Sequence, residues 1–110
     1  MTPGSRRFFM RRGEKMSEPY VVYILECSDG TLYTGITNRL KQRMKSHQQG
    51  KGAKYTRGRL PVRLRYVERG GDKSWALKRE REIKKMSKQK KWELIQKRGV
   101  ADGDSKEFHE

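Results

Sequence analysis

The sequence predicts a small α/β domain, with a three-stranded antiparallel or mixed sheet flanked by helices in the order β-β-α-β-α-α. Three observations carry that expectation. Residues 20 to 27, YVVYILEC, are dense in β-branched and aromatic residues and apolar on both faces, which marks a central strand covered on two sides. Residues 62 to 67, VRLRYV, alternate with a period of two and read as a further, half-exposed strand. The intervening and following stretches carry inward residues at helical spacing between capping signals.

Taken in order, the first strand runs into Ser28-Asp29-Gly30, a turn in which Asp-Gly favours positive φ. Thr31 to Ile36 is then its antiparallel partner, and Gly35 hints at something lying close to the backbone. Thr37 or Asn38 can cap a helix reaching about Gln49, with Gly50 as its stop. On that helix Leu40, Arg43, Met44 and His47 share one face, so the inward stripe contains an arginine and a histidine. Residues 50 to 61, GKGAKYTRGRLP, form a basic, glycine-rich loop. After the third strand, Gly70-Gly71 are expected to break the ladder. Asp72 or Ser74 caps a second helix through about Met86, with Ala76, Glu80 and Ile83 on one face. Glu80 thus stands where a core residue is expected. Ser87 caps a last helix, Lys88 to Arg98, with Trp92 and Ile95 inward.

The 110 residues suit one domain, and with 32% hydrophobic against 37% charged residues its core must be compact. We expect it over residues 19 to 98, between a basic disordered arm (1 to 18) and a polar, acidic, disordered tail (99 to 110). The net charge of +15 draws polyanions, phosphate backbones foremost, and disfavours self-association, so a monomer is expected. The lone Cys27 excludes an internal disulfide and a cysteine-based zinc site, and fits a reducing compartment. No apolar run is long enough to span a membrane, and residues 1 to 19 have no apolar signal-peptide segment. The expected location is cytoplasmic, nucleoid-associated in a bacterium.

The succession VVY…YTGIT, then L-x-x-R, H-x-x-G and A-L-K-R-E resembles the GIY-YIG nuclease family, nearest its small stand-alone Slx1-like branch, over about residues 19 to 97. The first motif falls on Val21-Val22-Tyr23 and the second on Tyr33-Thr34-Gly35. The family arginine matches Arg43, a histidine one turn later matches His47, and the metal-binding glutamate matches Glu80. The resemblance implies metal-dependent hydrolysis of DNA phosphodiesters, structure-specific on branched, nicked or single-stranded forms, in repair or recombination. Mg²⁺ or Mn²⁺ is the implied cofactor, and Mg²⁺ needs few carboxylates, so Glu80 alone suffices. Tyr23 is the first choice to deprotonate the water, its phenolate favoured by nearby cations. Tyr33 would orient water or phosphate, Arg43 would grip the non-bridging oxygens, and His47 would act as proton relay or phosphate donor.

Around this set, Lys51, Lys54, Arg57 and Arg59 of the basic loop are expected on the nucleic-acid backbone, with Tyr55 stacking on an exposed base. The loop lacks the order of a phosphate-binding G-x-x-x-x-G-K-[ST] motif, which excludes a nucleoside-triphosphate site. Lys84 and Lys85 add a second basic surface next to Glu80. Where some branches carry a lysine after the second motif, this chain has Ile36, and it lacks the cysteine-rich module of Slx1 proper. The competing reading is a non-catalytic module that binds DNA or RNA. A hairpin in which Tyr23 stands six residues before Asp29 and Tyr33 three after Gly30 sends both side chains to one surface only if the register or a bulge allows it.

Overall fold

The protein is described by a computed structural model covering residues 19–99. The expected arm, and the expected tail from residue 100 onward, lie outside the described residues.

Among the described residues seven elements follow one another: β1 (Tyr20–Glu26), β2 (Leu32–Thr37), α1 (Leu40–Gln48), α2 (Lys54–Arg57), β3 (Arg63–Gly71), α3 (Lys73–Lys84) and α4 (Lys88–Arg98). The sheet is antiparallel throughout, in the order β2-β1-β3. β1 is central, as its two apolar faces require, and Val21 to Leu25 are all buried. Its four aliphatic side chains each contribute roughly 1.5–3 kcal/mol of burial free energy, which makes this strand the spine of the fold.

The two faces build two cores. Val21, Tyr23, Leu25 and Cys27 pack with Leu40 and Met44 of α1 and with Val62 and Leu64. Val22 and Ile24 pack on the other side with Tyr66, with Ala76 and Ile83 of α3, and with Ile95 of α4. α1 and the α3–α4 pair therefore cover opposite faces.

The hairpin has a three-residue loop, Ser28-Asp29-Gly30, with Gly30 at φ +85° and Cys27 bonded to Thr31 across it. Asp29 accepts from the Thr31 backbone N–H at 3.1 Å, which stiffens the turn. The register that follows pairs Tyr23 with Gly35 and Leu25 with Tyr33. Residues directly opposite each other share a face, and so do residues two apart. Tyr23 and Tyr33 accordingly point to the same side without any bulge between β1 and β2.

Three expectations about the elements are corrected. Gly70-Gly71 do not end the third strand; Tyr20 pairs with Gly71 and Val21 with Arg69, so Gly70 is the extra residue of a β-bulge. The Trp75 ring lies against that backbone, where a Cβ would approach its Cζ2 to 2.2 Å. Nor is β3 a simple alternating strand: a second bulge at Arg65 sends Leu64 into one core and Tyr66 into the other. Finally, the basic loop contains a helix of one turn, α2, invisible to periodicity at that length. The helix caps divide. Asp72 and Ser87 accept from the backbone N–H three residues on, at 2.9 and 3.1 Å. The first helix is capped by neither Thr37 nor Asn38: it starts at Leu40 after Arg39, with Thr37 Oγ1 accepting from Arg39 N just ahead of it.

Candidate active site

The site is assembled on the α1 face of the hairpin. Tyr23 stands on the central strand with its hydroxyl end lying across the edge strand at Gly35. A Cβ there would sit 2.6 Å from the Tyr23 oxygen and 3.0 Å from the Tyr33 ring. The second-motif glycine is thus a matter of space, since the phenol passes over the backbone where any side chain would stand.

α1 supplies the partners. Its inward face carries Leu40, Met44 and His47 as buried residues, with Arg43 beside them half-buried. His47 Nε2 meets the Tyr23 hydroxyl at 2.9 Å, and Arg43 Nε donates to the same oxygen at 3.4 Å. Tyr33 closes the cluster by ring contacts, its centroid 6.4 Å from that of Tyr23 and 5.6 Å from that of His47. It also helps Arg43 to hold its charge, after the larger contribution of the Tyr23 hydroxyl.

The electrostatics differ from the expected phenolate. Tyr23 is fully enclosed, and burial pushes its ionisation up to about 12, against the lowering effect of the Arg43 hydrogen bond. His47 moves the opposite way, down to about 4, because burial and the neighbouring Arg43 charge disfavour the imidazolium. At neutral pH the pair is a neutral phenol beside a neutral imidazole. The expected stabilisation of the phenolate by cations is outweighed by desolvation.

The basic loop encloses the histidine from behind. Thr56, on α2 and fully buried, meets His47 Nδ1 at 3.0 Å. Gly52 lies flat against the imidazole, where a Cβ would come within 2.2 Å of Nδ1. Neither residue stood out in the sequence, because a threonine or a glycine in a basic loop carries no periodic signal. The loop is clipped to the hairpin turn: Ser28 N donates to Arg59 O at 2.9 Å and Arg59 Nε to Asp29 Oδ2 at 2.9 Å.

Of the expected nucleic-acid contacts, Lys51, Lys54 and Arg57 are exposed beside the site. Tyr55 is exposed too, but the Arg59 guanidinium lies over its ring at 4.1 Å and Tyr33 stacks near it at a centroid distance of 5.9 Å. Arg59 also donates to the Tyr55 carbonyl at 2.6 Å, so it has a structural task in the loop. Lys84 and Lys85, at the end of α3, are exposed as expected.

Glu80 comes from α3, on the far face of the sheet. α3 packs against β2 and β1, and β2 is an edge strand. The carboxylate's charge is felt at Tyr23, where it opposes ionisation. Its side chain is 19% exposed and its ion partner is Lys84, at 3.2 Å. Arg43 and Glu80 thus stand in two separate arrangements, Arg43 on the Tyr23 hydroxyl and Glu80 on Lys84. Among the described residues no group of three or more His, Cys, Asp or Glu side chains could hold a metal ion. A single carboxylate still fits a divalent ion that keeps most of its waters. The Lys84 pair, half in water, holds Glu80 back by no more than about 1 kcal/mol.

A sequence model of the GIY-YIG catalytic domain matches residues 19–93. The class is therefore one that implies nuclease activity, and with it nucleic-acid binding, in general terms. The chain belongs to the GIY-YIG family, and its relatives are small stand-alone proteins named UPF0213. One from Natronomonas pharaonis is 50% identical over 80 residues, covering 73% of this chain and 94% of that protein. One from Bacillus cereus is 49% identical over 75 residues, covering 68% of this chain and 78% of that protein. A UPF0213 protein of Bacillus halodurans, solved by NMR in solution, is 48% identical with a TM-score of 0.47, over 70% of this chain and 82% of that one. These names bear on the small stand-alone branch and not on Slx1 itself.

Proposed function

We propose that this chain is a metal-dependent DNA nuclease that hydrolyses phosphodiesters in branched, nicked or single-stranded structures, in the service of repair or recombination. The observation that carries this reading is the Tyr23 hydroxyl held at once by His47 and Arg43 over a glycine that leaves it room. A merely structural tyrosine does not need a buried histidine and an arginine on one oxygen.

The residues divide the work. Arg43 is half-buried and its bond to Tyr23, at 3.4 Å, is long for N–H···O. A phosphate entering from solvent competes for the guanidinium, which then grips the non-bridging oxygens and uncovers the phenol. Water attacking phosphorus gives its proton to the Tyr23 oxygen while the phenolic proton passes to His47 Nε2. The two moves go together, because burial holds the phenol near 12 and the imidazole near 4, so the phenol does not hand its proton to the ring at rest. Tyr33, at the open edge, orients the water or the phosphate. Glu80 is the residue that would hold Mg²⁺ or Mn²⁺, which supplies Lewis-acid polarisation of the phosphate when bound. Lys51, Lys54, Arg57, Lys84 and Lys85 would meet the backbone on either side, with Tyr55 at the stacking position.

Incubation of the pure protein with labelled flaps, nicked duplexes and single strands, with and without Mg²⁺ or Mn²⁺, tests the proposal. Cleavage that depends on the metal and disappears in Glu80→Ala supports it; cleavage undiminished in Glu80→Ala shows a contaminant. Tight, salt-sensitive binding without cleavage under any metal supports the second reading, a non-catalytic DNA- or RNA-binding module, which the +15 charge favours.

A further inference from the structure

We infer that Thr56 is a positioning residue of the site: its hydroxyl accepts the His47 Nδ1 proton and so keeps His47 Nε2 bare toward the Tyr23 hydroxyl. The inference rests on the proton-relay reading of Tyr23 and His47, and it follows from counting donors and acceptors along one buried chain.

The chain has five groups. Arg43 Nε can only donate, and it faces the Tyr23 oxygen at 3.4 Å. The Tyr23 hydroxyl faces His47 Nε2 at 2.9 Å. His47 Nδ1 faces Thr56 Oγ1 at 3.0 Å. Thr56 Oγ1 faces the Ala53 carbonyl at 3.0 Å, and a carbonyl can only accept. A neutral imidazole carries one proton, so two arrangements exist. With the proton on Nδ1, the bonds run in one direction: Tyr23 O–H to Nε2, Nδ1–H to Thr56 Oγ1, Thr56 O–H to Ala53 O. Every proton then has an acceptor. With the proton on Nε2, the Tyr23 oxygen receives from both His47 and Arg43. Its own proton then has no acceptor among the described residues, although Tyr23 is fully buried. An unsatisfied buried hydroxyl costs about 1–3 kcal/mol, so the first arrangement prevails.

The surroundings keep the ring from turning out of this chain. Gly52 lies against Nδ1 and Cγ. The edge-on Tyr23 and Tyr33 rings stand at centroid distances of 5.8 and 5.6 Å. Thr56 itself is fixed by α2, whose backbone closes on Ala53 through Thr56 N and Arg57 N at 3.1 and 3.2 Å. This assigns α2 a purpose: one helical turn places a hydroxyl and a carbonyl in series behind the histidine.

The test joins a spectroscopic and a kinetic measurement on the full chain. Two-bond ¹H–¹⁵N correlation spectra of the His47 ring, assigned against a His109→Gln background, identify the protonated nitrogen. The expected result for the wild type at pH 7 is a protonated Nδ1 and a bare Nε2. A wild-type ring protonated on Nε2 overturns the inference regardless of any variant. Thr56→Val keeps the shape and removes the acceptor; it is expected to shift the ring toward the Nε2-protonated form. It should also lower kcat for metal-dependent cleavage by roughly 10- to 100-fold, with KM little changed. Thr56→Ser, which restores the hydroxyl, is expected to recover both signals. A Thr56→Val ring with the wild-type tautomer, or a kcat equal to wild type, overturns the inference. If the wild type cleaves nothing while Thr56 still sets the tautomer, the nuclease reading has failed and the positioning role has not.

Discussion

Gly35 shows how a single residue is constrained by its neighbour's size. Gly35→Ala would bring a methyl group to 2.6 Å from the Tyr23 oxygen, and overpacking of this kind costs about 1–3 kcal/mol. Because the displaced group is the one under the scissile phosphate in our proposal, cleavage should fall by roughly 100-fold, which single-turnover kinetics on a substrate cut by the wild type will measure. His47 carries a pH signature. Its ionisation lies near 4 in the fold against 6.5 in an exposed histidine, so between those values the unfolded chain binds the extra proton. Its contribution is complete above about 6.5 and is lost as pH falls toward 4, up to on the order of 3 kcal/mol. Urea denaturation of wild type and His47→Gln at pH 7 and 4.5 should show the difference between them shrinking at the lower pH. For the same reason of burial, Tyr23 and Tyr66, both held near 12, should ionise late in a 295 nm titration, and each Tyr→Phe change should remove one late step. Tyr66 owes this also to Glu68, which accepts its hydroxyl at 2.6 Å.

At the level of elements, caps and turns were readable because their signals are local. Asp72, Ser87 and the Ser28-Asp29-Gly30 loop do what their side chains allow within three or four residues. Asp72→Ala should therefore cost about 1 kcal/mol and lower the melting temperature by about 4–8 °C in a domain of this size, while Asp72→Asn should largely retain both; calorimetry decides. The elements that escaped are those set by distant contacts. α2 has only one turn, too short to be stable on its own, and it is held by Thr56 against His47 and by Arg59 against Asp29. β3 looks half-exposed in sequence because Arg63 and Arg65 alternate with apolar residues, yet the bulge at Arg65 lets Leu64 and Tyr66 serve opposite cores. Arg65 itself pairs with Glu26 at 2.8 Å across the sheet.

For the whole molecule, charge and the position of Glu80 set the expectations. A body of +15 presenting Lys51, Lys54 and Arg57 beside the site should bind DNA with a steep salt dependence. A footprint of 6–10 phosphates loses about 10³–10⁵ in affinity between 50 and 200 mM salt, a slope that fluorescence anisotropy can measure. Glu80→Ala should leave that binding intact or tighter, since it removes a negative charge, while abolishing metal-dependent cleavage. In our proposal one carboxylate serves a site on the other side of a sheet: α3 packs against the edge strand β2 and against β1, and the Glu80 charge is felt at Tyr23.

The sequence by itself determined the antiparallel hairpin, the central strand with two apolar faces and the caps of the last two helices, and it singled out Tyr23, Tyr33, Arg43, His47 and Glu80 as candidates. Those features follow from periodicity, local side-chain hydrogen bonding and motif order, all of which are carried along the chain. Only the tertiary structure decided that the two tyrosines share a face through an even register and that the phenol stays protonated. It alone brought Thr56 and Gly52 behind His47 and made the Gly70-Gly71 pair part of a bulged strand. Each of these depends on what lies against a residue rather than beside it in sequence: desolvation raises Tyr23, a neighbouring ring excludes a side chain at Gly35, and a partner strand gives Gly71 its place in the ladder.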